Sequence, residues 1–218
     1  MRLPRCKRKE CYNGACVQDA AVRTVVNTPY SRIKRWADIV ASAVLLIVLS
    51  PLLVLITLAI RIDSPGGVLY AQPRAGRGHK PFIIYKYRTM YSNTPSLSTE
   101  DMQKSGLNPV TRVGAFLRKT SLDELPQLWN ILKGDMSFIG PRPALLTQTA
   151  VLQGREAGGV QQLLPGVTGL AQVLGRDSLS DQEKVALDTR YLHKMSFWFD
   201  CYILWLTVRA VITGKGAV

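Results

Sequence analysis

The sequence has 218 residues, of which 47% are apolar and 20% are charged, and its 28 lysines and arginines against 15 acids give a net charge of +13. Such an apolar fraction excludes a disordered polymer, and the 12 prolines and 17 glycines follow no collagen period. No unit recurs at the spacing of repeat proteins. We therefore expect a folded, strongly basic chain of one domain with room for an appendage.

The first 30 residues are predicted to form a basic N-terminal tail. Five of the first nine residues are basic, and no amphipathic period is sustained. Three cysteines in this segment lie five residues apart, which is not the spacing of zinc ligands. We expect a mobile tail that is weakly attracted to anionic lipid, without a metal site.

An uncharged apolar segment of 22 residues follows, from Ile39 to Ile60, between Asp38 and Arg61. Its length suits the roughly 30 Å hydrocarbon core of a bilayer. A secretory signal would have a shorter apolar core nearer Met1, with a small-residue cleavage site after it. A buried core helix is the other alternative, but uncharged stretches of this length are uncommon in soluble domains. The segment is therefore predicted to enter the membrane.

Ser50 and Pro51 lie at the middle of this segment. Proline lacks the N–H that would bond the carbonyl of Ile47, so the helix is expected to break or kink there. The Ser50 hydroxyl can partly satisfy the loosened backbone. Together these two residues predict a membrane break.

The charges that flank the segment bear on its topology. A single crossing normally has a basic excess on one side only. Basic residues here precede the segment (Arg32, Lys34, Arg35) and also follow it (Arg61, Arg74, Arg77, Lys80). This favours a re-entrant helix-break-helix over residues 31–62 that returns to the face it entered, with a kinked single span as the alternative.

Residues 63–218 have the composition of a globular domain. Two short runs rich in β-branched and aromatic residues, 68–72 and 80–90, are joined by the sequence GRGH and predict a β-hairpin. The polar stretch 91–109 predicts a loop. Helical spacing returns at Thr111 and again from Leu125, and Gly134 is predicted to end the second helix.

Asp123 and Glu124 are adjacent acids in a basic neighbourhood. Helix capping is one interpretation, because Ser121 to Glu124 fits the S-x-x-E capping box. Pro126 complicates it, since a helix that begins at Ser121 would lose a hydrogen bond at the proline. Either way the two carboxylates are expected at or near a helix N-terminus, the end that also attracts phosphate. Capping and catalysis both remain open on the local sequence.

The C-terminal run resembles neither a span nor an ordinary surface helix. Only residues 201–208 are uncharged between Asp200 and Arg209, which is too short to cross a bilayer. The run is rich in residues that prefer a membrane interface, namely Phe197, Trp198, Phe199, Tyr202 and Trp205. We expect an interfacial helix, with a core helix beneath the domain as the alternative.

Several long motifs follow one another from about Lys34 to Gly216. After the basic residues and the Ser-Pro-centred apolar helix come SPGG, Q-x-R-x-G, KPF, KYRTM, TRVG, LRKTSLDELPQLWNILKGDMSFIGPRP, LLPGVTGLAQVLGRD and LDTRYLHKMSFWFD. In this order they resemble the bacterial sugar transferase family, the small monotopic phosphoglycosyl transferases. The loop 91–108, Gly67 and Tyr87 depart from the family pattern, and residues 1–30 match nothing in it.

The resemblance implies a mixed, helix-rich α/β domain that is membrane-associated, with a small β-hairpin and interfacial amphipathic helices. It implies an enzyme that transfers a sugar-1-phosphate from a UDP-sugar to polyprenyl (undecaprenyl) phosphate and releases UMP. The reaction would proceed through a covalent aspartyl-phosphosugar intermediate, as the first membrane step of glycan assembly. Asp123 aligns with the family's nucleophile and Glu124 with its acidic neighbour. A divalent ion, Mg²⁺, is implied with these two carboxylates as ligands, and Glu124 is either a metal ligand or a base.

Other residues gain expected roles from the same resemblance. Arg142 lies between Pro141 and Pro143, which restrict its backbone, so its guanidinium suits a phosphate or a nucleotide. Charged family positions near the active site also align with Lys86, Arg118 and Arg176, which are expected to bind substrate. Asp188 aligns with a family acid whose role is either substrate binding or structural.

The implied location is the cytoplasmic face of the bacterial inner membrane, with a UDP-sugar, polyprenyl phosphate and membrane lipid as partners and no nucleic acid.

Two other classes of protein compete with this interpretation. A membrane-tethered nucleic-acid binder would explain the charge, but KYRTM is the only stretch in which basic and aromatic residues alternate. A non-catalytic scaffold for anionic lipid would not need adjacent acids and a rigid Pro-Arg-Pro. The sugar and the oligomeric state remain open.

Overall fold

A computed structural model describes residues 28–92, 109–175 and 178–213. The predicted tail, apart from its last three residues, and most of the predicted loop 91–109 lie outside these ranges. The described helices are α1 Pro29–Val48, α2 Ser50–Asp63, α3 Arg112–Thr120, α4 Gln127–Lys133, α5 Thr149–Ala157, α6 Leu170–Leu174, α7 Asp181–Lys194 and α8 Phe197–Thr213. The strands are β1 Leu69–Ala75, β2 Pro81–Tyr87, β3 Ser137–Ile139 and β4 Gly166–Thr168. The predicted mixed, helix-rich α/β class is confirmed.

The apolar segment forms two helices with a break at Leu49. Helices α1 and α2 meet at an angle of 62°, and Pro51 lies in the first turn of α2. The Ser50 hydroxyl donates a 2.8 Å hydrogen bond to the Ile47 carbonyl, as the sequence predicts. Among the described residues no single helix is long and apolar enough to cross a bilayer, whereas α1 and α2 together meet both conditions.

Both ends of this helix pair are attached to the same globular body. Near the start of α1, Lys34 pairs with Asp200 of α8, and Arg35 donates to the carbonyls of Leu132 and Met136 at 3.4 and 3.3 Å. At the end of α2, the Asp63 carboxylate accepts a 3.0 Å hydrogen bond from the first turn of α3. Between these ends the pair exposes many large apolar side chains, among them Val40, Val44, Ile47, Val54, Leu55 and Leu58.

The predicted hairpin is confirmed. Strands β1 and β2 pair antiparallel, from Leu69 opposite Tyr87 to Ala75 opposite Pro81. Ile84 and Tyr87 of β2 are buried, at 4% and 5% exposure. Because residues 84 and 87 point to opposite faces of a strand, both faces of the hairpin pack onto the body, Ile84 against α4 and Tyr87 against α2. Lys86 lies on the same face as Ile84. A second sheet of two short parallel strands, β3 and β4, lies beyond it.

The segment from Thr111 to Gly134 differs from its prediction at one point. Ser121 ends α3 in a left-handed conformation, with φ 58°, and among the described residues its side chain makes no capping bond. The capping-box interpretation, one of the two left open by the sequence, is therefore wrong, because an N-cap residue needs an extended backbone. Asp123 and Glu124 instead occupy one turn of 3₁₀ helix, Leu122–Glu124, ahead of α4. Gly134 ends α4 as predicted, with φ 105°.

Helix α8, formed by the C-terminal run, has one buried face and one exposed face. Ile203 is fully buried and packs with Tyr191 and Leu192 of α7 against the β3–β4 sheet. The opposite side of α8 exposes Phe197, Trp198 and Trp205 at 58%, 79% and 56%. One face therefore belongs to the core, and the other is an aromatic surface on the same body that anchors α1.

Candidate active site

A rigid loop follows β3 and contains Pro141, Arg142 and Pro143. Prolines on both sides restrict the backbone of Arg142. In addition, four successive carbonyls of this loop accept hydrogen bonds from three parts of the fold, namely β1, β4 and α5. The pairs are Pro141 with the Gly166 amide (2.9 Å), Arg142 with the Arg155 side chain (2.8 Å), Pro143 with the Arg74 side chain (3.2 Å) and Ala144 with the Ala75 amide (3.0 Å).

Two glycines bring the start of this loop close to β4. A Cβ on Gly166 would lie 2.1 Å from the backbone nitrogen of Gly140, and one on Gly140 would lie 2.4 Å from the Leu164 carbonyl. Any side chain at either position would force the two backbones apart, so the glycines of the IGPRP and PGVTG motifs are required by packing.

A narrow cleft opens between this loop, the hairpin and the 3₁₀ turn. Its polar lining comprises Arg74, Lys86, Glu124, Gln127, Arg142 and Gln172. Three of these side chains are cationic and one is acidic, so the cleft is suited to a ligand with more than one negative charge.

Arg74 and Arg142 face the cleft from neighbouring segments. The Arg74 guanidinium donates to the Gln72 carboxamide at 2.6 Å and to the Pro143 carbonyl. Burial and then the charge of Arg142 lower the pKa of Arg74 from its ordinary value. An anion bound between the two guanidinium groups would relieve this repulsion.

Lys86 and Arg118 supply positive charge around the acidic pair. Lys86 of β2 forms a 2.7 Å ion pair with Glu124. Arg118 of α3 donates to the Thr89 hydroxyl at 2.8 Å. Both cations act electrostatically on Asp123, and its neighbour Glu124 lines the cleft, so the two acids lie in a positive environment.

Asp123 has an altered ionisation equilibrium. Burial, followed by the charge of Glu124, raises the pKa of the Asp123 carboxyl above its usual range, while Lys86 and Arg118 oppose the shift. A partly buried acid beside a like charge, held among cations at a cleft, is typical of a functional site.

This arrangement predicts opposite shifts from two substitutions. Lys86→Met removes a charge that lowers the pKa of Asp123, so this pKa should rise. Glu124→Gln removes a charge that raises it, so this pKa should fall. NMR titration of the Asp123 carboxyl from pH 3 to 9 in the wild type and both variants measures the two shifts. Shifts of the same sign would contradict this electrostatic account of Asp123.

The implied Mg²⁺ can be tested against the chemistry of the side chains present. The described residues contain no group of three or more His, Cys, Asp and Glu side chains that could hold a metal. Mg²⁺ needs fewer, because it is usually bound by one or two carboxylates with waters and substrate phosphates completing its shell. The adjacent pair Asp123 and Glu124 fits this pattern, and a cation there would offset the repulsion that raises the Asp123 pKa.

The structure distributes the predicted site residues unevenly. It brings Lys86, Glu124 and Arg142 into one cleft, with Asp123 and Arg118 beside it. Asp188 lies elsewhere: its exposure is 1%, and it is bound by Arg155. The predicted binding residue Arg176 lies outside the described residues.

Three further residues of the cleft, Arg74, Gln127 and Gln172, and one residue behind it, Arg155, are not predicted from the sequence. Arg74 belongs to the Q-x-R-x-G motif, and that motif was the available signal. Gln172 lies in the motif LLPGVTGLAQVLGRD, and a glutamine in a short helix does not by itself indicate a cleft. Arg155 lies in a polar helix, where an arginine is usually a surface charge.

The family model described as bacterial sugar transferase matches residues 29–214. The chain belongs to this family. A relative from Komagataeibacter xylinus, an undecaprenyl-phosphate glucose phosphotransferase, is 40% identical over 197 residues, covering 84% of this chain and 36% of the relative. A UDP-glucose:undecaprenyl-phosphate glucose-1-phosphate transferase from Caulobacter vibrioides is 41% identical over 191 residues, covering 84% and 71%.

A third relative differs in its sugar. The UDP-N-acetylgalactosamine-undecaprenyl-phosphate N-acetylgalactosaminephosphotransferase of Aeromonas hydrophila is 37% identical over 193 residues, covering 86% of this chain and 45% of the relative. The chain thus spans between about a third and seven-tenths of the length of these relatives. The names of all three contain undecaprenyl phosphate and describe the transfer of a sugar phosphate or phosphate group, and they share no single sugar.

Proposed function

We propose that this protein transfers a sugar-1-phosphate from a UDP-sugar to undecaprenyl phosphate and releases UMP. Family membership and the names of the relatives support the reaction class. The observation that carries the proposal is the position of Asp123, a partly buried acid with a raised pKa, directly beside Glu124, which lines a cleft with three cationic side chains.

The proposed chemistry has two displacements at one phosphorus. An oxygen of the Asp123 carboxylate attacks the sugar-linked phosphorus, the bond from that phosphorus to the UMP oxygen breaks, and UMP leaves with the electron pair. A phosphate oxygen of the acceptor then attacks the same phosphorus, and the Asp123 carboxylate leaves. An acyl-phosphate divides one difficult exchange into two easier ones.

The cationic side chains would bind and orient the donor. Arg142 and Arg74 lie across the cleft from the acidic turn, where their guanidinium groups can each hold phosphate oxygens. Lys86, paired with Glu124, lowers the pKa of Asp123 and so increases the fraction of the ionised nucleophile. Asp123 and Glu124 would hold Mg²⁺, which when bound neutralises charge on the diphosphate.

We further propose that α1 and α2 form a re-entrant membrane element. Its support is the attachment of both ends to one body, through Lys34 at one end and Asp63 at the other, because a crossing helix would put its ends on opposite faces. The exposed aromatic face of α8 would lie at the same interface. UDP-sugars are made in the cytoplasm, so the catalytic body would face the cytoplasm from the inner membrane.

The product of this reaction is a polyprenyl diphosphate sugar. Its sugar hydroxyl groups are available to glycosyl transferases, so the reaction would open a glycan assembly sequence.

The test is a reconstitution with a panel of UDP-sugars, Mg²⁺ and undecaprenyl phosphate in detergent or vesicles. We expect UMP and the lipid-linked sugar diphosphate to appear in equal amounts with one or a few of the sugars. Absence of UMP with every UDP-sugar, together with binding to anionic vesicles, would favour a non-catalytic lipid-binding protein instead.

A further inference from the structure

A buried ion pair lies behind the cleft, between α5 and α7. Arg155 and Asp188 are 8% and 1% exposed. The guanidinium donates from Nε and Nη2 to the Asp188 carboxylate, at 2.9 and 2.6 Å. Burial disfavours the charged form of Asp188 and raises its pKa, while Arg155 opposes this shift. Burying two charges is costly, so such a pair often serves specificity of structure more than stability.

The same guanidinium extends to the cleft through a third hydrogen bond. Its Nη1 donates to the Arg142 carbonyl at 2.8 Å. The other three loop carbonyls accept hydrogen bonds from β1 and β4. Arg155 therefore joins the α5–α7 layer to the residue whose side chain lines the cleft.

Close packing keeps this connection rigid. A Cβ on Gly154 would lie 2.9 Å from the Val185 side chain, and one on Gly158 would lie 2.7 Å from the Thr189 hydroxyl. Helices α5 and α7 thus approach each other closely on both sides of Arg155. Neither helix can shift without disturbing the pair.

We propose that Arg155, held in place by Asp188, is a positioning residue that orients the backbone of Arg142 so that the Arg142 guanidinium meets the diphosphate of a nucleotide ligand. This inference rests on the proposed function for the identity of the ligand. It also gives Asp188, for which the resemblance implies either substrate binding or a structural role, a role that needs no contact with substrate.

The geometry of arginine makes the inference testable. The planar guanidinium donates two N–H groups to Asp188 and a third to the Arg142 carbonyl, each in a fixed direction. A lysine at this position keeps a positive charge beside Asp188, but its single ammonium cannot reproduce both sets of directions. Arg155→Lys should therefore keep most of the ion pair and lose the bond to the loop.

The measurement is the affinity for UDP by titration calorimetry, since UDP carries the diphosphate of the donor and binding needs no turnover. We expect Arg155→Lys to weaken UDP binding by about five- to tenfold, the size of one lost hydrogen bond. In an Arg142→Ala background the same change should have no further effect, because the group that Arg155 positions is gone. Asp188→Asn should show the same dependence on Arg142.

Arg190→Gln, an exposed change on α7, serves as the matched control and should leave the affinity for UDP unchanged. Melting temperatures separate positioning from stability. A lower melting temperature with unchanged UDP affinity in both Arg155→Lys and Asp188→Asn would overturn the inference, as would a loss of equal size in the Arg142→Ala background.

The outcomes for the inference and for the proposed function are distinct. If Arg155→Lys weakens UDP binding only when Arg142 is present, but no UDP-sugar releases UMP, the positioning role is supported and the proposed reaction is contradicted. Normal turnover by the wild type, together with unchanged UDP affinity in Arg155→Lys, would support the proposed reaction and contradict the positioning role. A wild-type protein that binds no UDP would overturn both.

Discussion

Replacing Asp123 with Asn is expected to lower UMP release by at least about 10⁴-fold, because a carboxamide cannot replace a carboxylate as nucleophile. The fold should tolerate the change. Burial and Glu124 raise the pKa of Asp123, so its ionised form at pH 7 costs folding free energy that a neutral amide does not. The melting temperature should therefore stay the same or rise slightly. Initial rates of UMP release and thermal unfolding curves check the two expectations together.

The matched control for this variant is Asp181→Asn, which removes an exposed acid at the start of α7 and should leave the rate unchanged. Steady-state kinetics add a second criterion, since a covalent intermediate predicts a ping-pong pattern. Retained activity in Asp123→Asn, or kinetics that require both substrates on the enzyme before UMP leaves, would contradict the covalent mechanism. The second result would favour a direct transfer with Asp123 as base.

Replacing Pro51 with Ala is expected to change the topology of the membrane segment. Alanine restores the N–H that proline lacks, so a continuous helix can form from Ile39 to Ile60. These 22 residues would extend about 33 Å as one helix, enough to cross the hydrocarbon core. The N-terminus should then lie across the membrane in part of the population. The contacts of Lys34 and Arg35 with the globular body oppose this and limit the fraction.

Cysteine labelling in intact cells measures this topology. In a background without the four native cysteines, single labels at Ser31→Cys and Gly67→Cys should both be protected from an impermeant reagent. Gly67 is suited to a label because its Cβ would meet little. With Pro51→Ala, only the label at position 31 should become reactive. Ser50→Ala, which keeps the proline, is the control and should resemble the wild type. Labelling of position 31 in the wild type would establish a true span.

The sequence predicts the parts of the fold that depend on local chemistry. The helix break follows from Pro51, which has no backbone N–H to donate to the Ile47 carbonyl. The Ser50 hydroxyl donates to that carbonyl instead. The hairpin follows from two β-branched runs around a glycine-rich turn. The catalytic role of the acidic pair follows from the family resemblance, because the local sequence leaves capping and catalysis open, whereas the Pro-Arg-Pro sequence itself indicates that Arg142 is held in place.

Features that depend on contacts between residues far apart in the chain are harder to predict from the sequence. Ser121 fits a capping box by sequence, yet the chain turns there in a left-handed conformation. Strands β3 and β4 have three residues each, which is too short for a periodic signal, and they pair in parallel across a separation of 29 positions. Asp188 is assigned to the site because it aligns with a charged family position. Its ion pair with Arg155 depends on the packing of α5 against α7, which no local sequence pattern predicts.

Intact-protein mass spectrometry of the acceptor-free reaction tests the proposed mechanism most directly. The protein, with Mg²⁺ and the UDP-sugar that supports turnover, should gain the mass of one phosphosugar, and fragmentation should place it on Asp123. Addition of undecaprenyl phosphate should then remove the adduct and yield the lipid-linked product. Full turnover with acceptor but no adduct without it, or an adduct at a residue other than Asp123, would contradict the mechanism.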